Sequence, residues 1–198
     1  MDAGRLRKRV WGLGLGLVLS CGVALAQQPP APPRPAPTPE MERLSKLIVG
    51  DYAVRETHHA RPGRPEWSIE GTASYRPGPD GLSVVEEYRS NNPHGPFSAI
   101  AVMWWDVERG AFRHFECETG QACDIPDELG SWEGEAVVFR RTLERQGRKI
   151  ALETRFDFGQ PSAPLVYSVR YSLDGAAPVT NLTIRHEKIA NPVRGSGR

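Results

Sequence analysis

From Trp67 onward, apolar and polar residues alternate at every second position. Trp67, Ile69, Gly71, Ala73 and Tyr75 interleave with Ser68, Glu70, Thr72, Ser74 and Arg76. Ile150, Leu152, Thr154, Phe156 and Phe158 interleave with Ala151, Glu153, Arg155 and Asp157, and Leu165, Tyr167, Val169, Tyr171 and Leu173 with Val166, Ser168, Arg170 and Ser172. A period of two places successive side chains on opposite faces, so these are half-buried antiparallel strands with one wet face. Weaker alternation predicts strands at 48–56, 82–90, 111–118, 136–144 and 179–189, with a short one at 129–133. The run Phe97 to Trp105 is apolar on both faces and is expected to be the most enclosed strand.

Ahead of the strands the period is helical. Thr38 can cap, Pro39 suits the first helical position, and Met41, Leu44 and Leu47 or Ile48 recur on one face before Gly50. Turn residues separate the strands: Pro77-Gly78-Pro79-Asp80-Gly81, Glu108-Arg109-Gly110, Gln146-Gly147-Arg148 and Asp174-Gly175. No crossover helices lie between strands, which rules out a parallel sheet. The pattern predicts an all-β fold, an antiparallel up-and-down barrel of nine or ten strands with a short N-terminal helix. A two-sheet sandwich is the alternative closure.

The first 26 residues change the picture of where the domain works. Arg5, Arg7, Lys8 and Arg9 precede an apolar run from Val10 to Leu19, and Ala24-Leu25-Ala26 is a small-x-small cleavage step. The apolar run is about half the roughly twenty residues of a permanent span. Val18-Leu19-Ser20-Cys21 also resembles a lipobox, so the expected location is periplasmic or secreted, with a lipoprotein anchored at Cys21 as the alternative. The chain then divides into a signal peptide (1–26), a Pro/Ala-rich linker (27–38), a domain (39–190) and a flexible tail (191–198).

Loss of residues 1–26 leaves 21 Lys and Arg against 23 Asp and Glu. The near balance and the lack of a basic patch argue against a nucleic-acid partner. A membrane enters only if Cys21 is lipidated. Cys117 and Cys123, six apart in an oxidising compartment, are expected to form a disulfide, with free thiols or a metal site involving His114 as alternatives.

The step Leu47-Ile48-Val49-Gly50-Asp51-Tyr52 after a short helix, followed by a meander, resembles the calycin superfamily. Lipocalins open their first strand with Gly-x-Trp, and here Tyr52 stands at the Trp position. The order of elements, Trp104-Trp105-Asp106, and the Gly130-to-Glu135 step resemble a bacterial exported family catalogued as domain of unknown function 1579. The resemblance implies a barrel able to hold a small apolar or amphipathic molecule. Nitrobindin, a related ten-stranded barrel, ligates haem iron through a histidine near its C-terminal strands. His186 is similarly placed, which makes haem an alternative to a barrel with no cofactor.

Polar residues on apolar faces are the candidates for chemistry. Glu86 shares a face with Leu82, Val84 and Tyr88; Arg141 with Val137, Phe139 and Leu143; His186 with Leu182 and Ile184. A buried charge must pair, reach the mouth or meet a ligand. Glu86, Arg141 and His186 are therefore expected inside the barrel, with Tyr52, Tyr75, Tyr167 and Tyr171 as hydrogen-bonding contacts and Trp67, Phe139 and Phe156 as apolar wall. A self-satisfied Glu86–Arg141 pair is the plainer reading. His58, His59, His94 and His114 are read as strand-end or loop residues. No nucleophile elbow, phosphate loop or dinucleotide fingerprint occurs, and no catalytic residue or metal ligand is assigned. The expected function is binding of a small apolar or amphipathic molecule. The alternatives are an enzyme or haem protein using the same cavity, or a structural envelope module. An interior void of about 300 Å³ or more would distinguish a cavity from a filled module.

Overall fold

The structure, a computed structural model, describes residues 35–123, 128–159 and 163–190. The expected signal peptide with its cleavage step at Ala26, the lipobox at Cys21, most of the linker and the tail lie outside the described residues. Helix α1 (Pro39–Ile48) leads into ten strands: β1 (Gly50–His58), β2 (Trp67–Pro77), β3 (Ser83–Asn92), β4 (Gly95–Asp106), β5 (Ala111–Glu118), β6 (Leu129–Glu133), β7 (Ala136–Arg145), β8 (Arg148–Asp157), β9 (Leu165–Leu173) and β10 (Val179–Lys188). Each strand pairs antiparallel with its neighbours in sequence, and β1 pairs with β10, closing the barrel. Closure leaves no edge strand open.

Short-range chemistry accounts for the meander. Between β7 and β8, Gln146 and Gly147 both have positive φ (54° and 71°), the backbone of a two-residue hairpin turn whose twist matches the strands. The register then fixes which face turns inward. Glu86 stands opposite Tyr75 and Ala101, Ala101 opposite Glu116, Phe156 opposite Tyr167, and His186 opposite Val54. One inward position on β6 requires the absence of a side chain. Gly130 pairs with Phe139, and a Cβ there would sit 2.6 Å from the Phe139 ring.

Helix α1 covers one end of the barrel. The Thr38 hydroxyl accepts from the Met41 amide at 3.4 Å, and Met41, Leu44 and Ile48 are buried toward the barrel. Its opposite flank is pinned by Arg43, whose guanidinium lies 3.8 Å from the centre of the Trp132 ring and donates to the Gly134 carbonyl at 2.8 Å. The apolar face that sequence periodicity gives the helix thus becomes the barrel's floor.

One expectation about the strands is overturned. The stretch Phe97 to Trp105 is not the most enclosed: of its residues only Met103 is fully buried, and Ile100 is 42% exposed. Among the described residues the barrel is a single layer with no second sheet packed on β4's outer face, so apolar residues on that face stay accessible. The most enclosed run is Ala136–Phe139 at the start of β7.

Cys117 and Cys123 are disulfide-bonded, joining the end of β5 to the segment after it. In the chain-entropy picture, closing so short a loop contributes about 2 kcal/mol. Replacing both cysteines by serine is expected to lower stability by that amount in urea denaturation. An unchanged midpoint would show that the loop is already ordered without the bond.

Candidate functional site

The inward faces of the strands do not fill the barrel. A cavity of about 160 Å³ runs from Leu44 and Ile48 of the helix floor, past Tyr75, Glu86 and His186, toward Phe97 and Leu182. Its wall is apolar and aromatic for most of its extent, but it also carries the carboxylates of Glu56, Glu86, Glu116 and Glu118.

The floor end holds a hydrogen-bonded chain built from three strands. Tyr75 on β2 donates its hydroxyl proton to Glu86 Oε1 on β3 at 2.7 Å, and the same hydroxyl lies 3.1 Å from His186 Nε2 on β10. Which of the Tyr75 oxygen and His186 Nε2 donates follows the imidazole tautomer. Tyr52 packs edge-on against both Tyr75 and His186 and donates to the Ile48 carbonyl at 2.7 Å, locking helix to barrel.

Burial dominates the electrostatics. Loss of hydration pushes Glu86 up to about 7 against the lowering effect of the Tyr75 hydrogen bond. Glu116 is also pushed up to about 7, first by burial and then by the carboxylates of Glu118, Glu86 and Glu128. Burial drives His186 the other way, down to about 4, against the backbone groups of Leu165 and Ile184. The Tyr75, Tyr88 and Tyr167 hydroxyls are all held well above the usual phenol range, chiefly by burial. At neutral pH the site therefore contains an uncharged His186 imidazole, protonated tyrosines, and Glu86 and Glu116 carboxyls poised near half ionisation.

Further along the barrel, Glu56 accepts from the Tyr88 hydroxyl at 2.6 Å and is bonded to His58. The His58 ring stacks on Trp67 with centroids 3.8 Å apart. Glu128, 5% exposed, lies 3.4 Å from His114 and 3.8 Å from Arg141.

The residues expected from sequence divide accordingly. Tyr75, Glu86, Phe156, Tyr167 and His186 line the cavity. Tyr52 is part of the packing beneath it, and Trp67 is engaged with His58. Phe139 is fully buried among Gly130, His114 and Phe156, and Tyr171 pairs with Leu152 and Val179 away from the cavity wall. The expected Glu86–Arg141 pair does not form: Arg141 faces Glu128, while Glu86 is held by Tyr75. The reason is position around the barrel, since β3 and β7 are separated by β4, β5 and β6. The histidine assignment also needs correction, because His114 lies within β5 and lines the cavity.

Sequence reasoning missed Glu56, Tyr88, Glu116 and Glu118. The alternation of Phe112, His114, Glu116 and Glu118 carried the signal for two of them. Polar residues on a face count against its being the inner one, and here the inner face is polar.

Haem does not fit this arrangement. His186 is 1% exposed, its Nε2 is bonded to Tyr75, and Tyr52 packs against its ring. The void beside it is close to the roughly 150 Å³ that accommodates benzene, far short of a porphyrin. Among the described residues, no group of three or more His, Cys, Asp or Glu is placed to hold a metal ion.

No family model and no curated protein matches this chain. Among solved structures, the crystal structure of Rv2717c from M. tuberculosis is similar, with a TM-score of 0.51 and 15% sequence identity over 78% of this chain and 99% of that one. At that identity the likeness is one of fold.

Proposed function

We propose that this chain is an exported, calycin-like barrel of the kind catalogued as domain of unknown function 1579, and that it binds a small amphipathic molecule inside the barrel. The observation that carries the reading is the void itself: an interior space of about 160 Å³ bounded by aromatic side chains and by carboxyl and phenol groups. A filled structural module would place apolar side chains there instead. At about 160 Å³ the void falls below the roughly 300 Å³ that marks a cavity over a filled module, which counts toward the structural alternative. What supports binding is its mixed aromatic and carboxyl lining, and its occupant is about one ring in size rather than a long-chain lipid. Export rests on the basic, apolar and small-residue order of residues 1–26.

Ala101 lines the cavity between Glu86 and Glu116 in the register, so Ala101→Leu would extend side-chain volume into the space. Native mass spectrometry of the protein purified from its own cell envelope is expected to show a retained small organic mass that the Ala101→Leu variant lacks. Bare protein in repeated preparations, or an adduct undiminished in the variant, would overturn the reading.

A further inference from the structure

The lining of the cavity is unbalanced in charge. Four of its residues are glutamates and none is lysine or arginine. Two of the glutamates have partners other than carboxylates: Glu56 binds Tyr88 and His58, and Glu86 binds Tyr75. Glu116 differs, because the Glu118 carboxyl acts on it by charge and by a hydrogen bond, and Glu86 and Glu128 add further negative charge. The two histidines on the wall do not restore the balance. His114 lies against Glu128 at 3.4 Å, and His186 stays uncharged at neutral pH.

The strand register turns this imbalance into a shaped site. Ala101 on β4 is flanked by Glu86 on β3 and Glu116 on β5, and the adjacent inward residue, Ala99, is flanked by Tyr88 and Glu118. Residues two strands apart are separated by about 10 Å at Cα. Two alanines in the intervening strand leave that span empty, so the carboxyl groups border a common space. Aromatic rings of Tyr88, Phe97, Phe156 and Tyr167 line the same cavity and supply surfaces that attract cations.

We infer that the barrel's ligand is a small organic cation, a protonated amine or quaternary ammonium of about one ring's size, whose positive group sits between Glu86 and Glu116. This inference rests on the binding function proposed above and specifies its ligand class. An organic cation is favoured over a metal ion because the described residues offer no three-ligand group for a metal. It is favoured over an acid because an anion would enter against four carboxyl groups with no lysine or arginine in the lining to meet it.

Three probes of similar size test it: phenethylamine, 2-phenylethanol and phenylacetate, each titrated calorimetrically into the full chain at pH 8. Phenethylamine is expected to bind at least about tenfold more tightly than the alcohol, and the acid more weakly than either, as charge-assisted contacts outweigh neutral ones. In the variants Glu86→Gln and Glu116→Gln the preference for amine over alcohol is expected to collapse. Glu153→Gln, whose carboxylate pairs with Arg140 and Arg170, serves as a charge-matched control and is expected to retain the preference. Melting temperatures of all variants establish that they fold.

If the alcohol binds as tightly as the amine, the amine assignment fails while the binding cavity stands. If none of the three binds at millimolar concentration, both fail. If the amine preference survives in Glu86→Gln and Glu116→Gln, the cation sits elsewhere and the assignment is overturned.

Discussion

Leu44→Ala is expected to destabilise the protein by about 3–5 kcal/mol, at the upper end for leucine truncations. Leu44 is fully buried, belongs to the helix that covers the barrel end, and lines the cavity floor. Truncating it removes contact between helix and barrel and adds its volume to a space that is already empty. The cost of such a change depends on how far the surroundings can collapse. A closed barrel collapses little, because every strand is bonded on both sides. Equilibrium urea unfolding of the variant and the parent chain measures the difference. A loss below about 1 kcal/mol would mean that α1 rests loosely on the barrel and does not form its floor.

The second large effect concerns pH. Glu86 has a carboxyl raised from 4.5 to about 7 in the folded chain, with Tyr75 bonded to it, His186 beyond that hydroxyl, and Glu116, Tyr88 and Tyr167 facing the same cavity. Between about pH 4.5 and 7 the folded state keeps a proton that the unfolded state has released. Folding stability is therefore lost as pH rises through that window, by about 3 kcal/mol for this one group at 1.36 kcal/mol per pH unit. Glu86→Gln carries no such charge and can still accept from Tyr75. The variant is expected to match the parent near pH 4.5 and to exceed it by up to about 3 kcal/mol at pH 8.

Glu116, also raised to about 7, leaves the variant with a similar slope of its own. His186 acts in the opposite direction. Its value is lowered to about 4, so its contribution is complete above pH 6.5 and is lost as pH falls through about 4. The parent's profile is thus a partial cancellation, and the difference between variant and parent reports Glu86 together with its repulsion of Glu116. A difference that stays flat from pH 4.5 to 8 would show that the carboxyl is hydrated and the site open to water.

The fold was legible because its signals are local. Alternation marks Trp67–Tyr75, Ile150–Phe158 and Leu165–Leu173 as half-buried strands, and Gln146-Gly147 marks the hairpin between β7 and β8. Consecutive hairpins with one apolar face then leave closure as the natural end point. The acid–base groups of the site were legible where a polar residue interrupts an apolar face, as Glu86 and His186 do, and its wall where Tyr75, Phe156 and Tyr167 alternate inward. Their shared partner, Tyr75, is set by the pairing of β2 with β3 and of β1 with β10, which no local pattern encodes. The pairing of Arg141 depends likewise on its position around the barrel. Glu116 and Glu118 were concealed by the rule that polar side chains face water, which fails on the inner face of β5. Such failures of a local rule are expected where a structure serves function.

The proposed binding function requires the closed barrel to keep an acidic, aromatic-walled hollow above its helical floor open to a small guest. A crystal of the full chain soaked with phenethylamine tests it most directly. The account predicts guest density along the barrel axis, with the ammonium nitrogen within hydrogen-bonding reach of Glu86 or Glu116 and the ring among Phe97, Phe156 and Tyr167. An interior closed by its own side chains, or a guest found only on the outer surface, would contradict it.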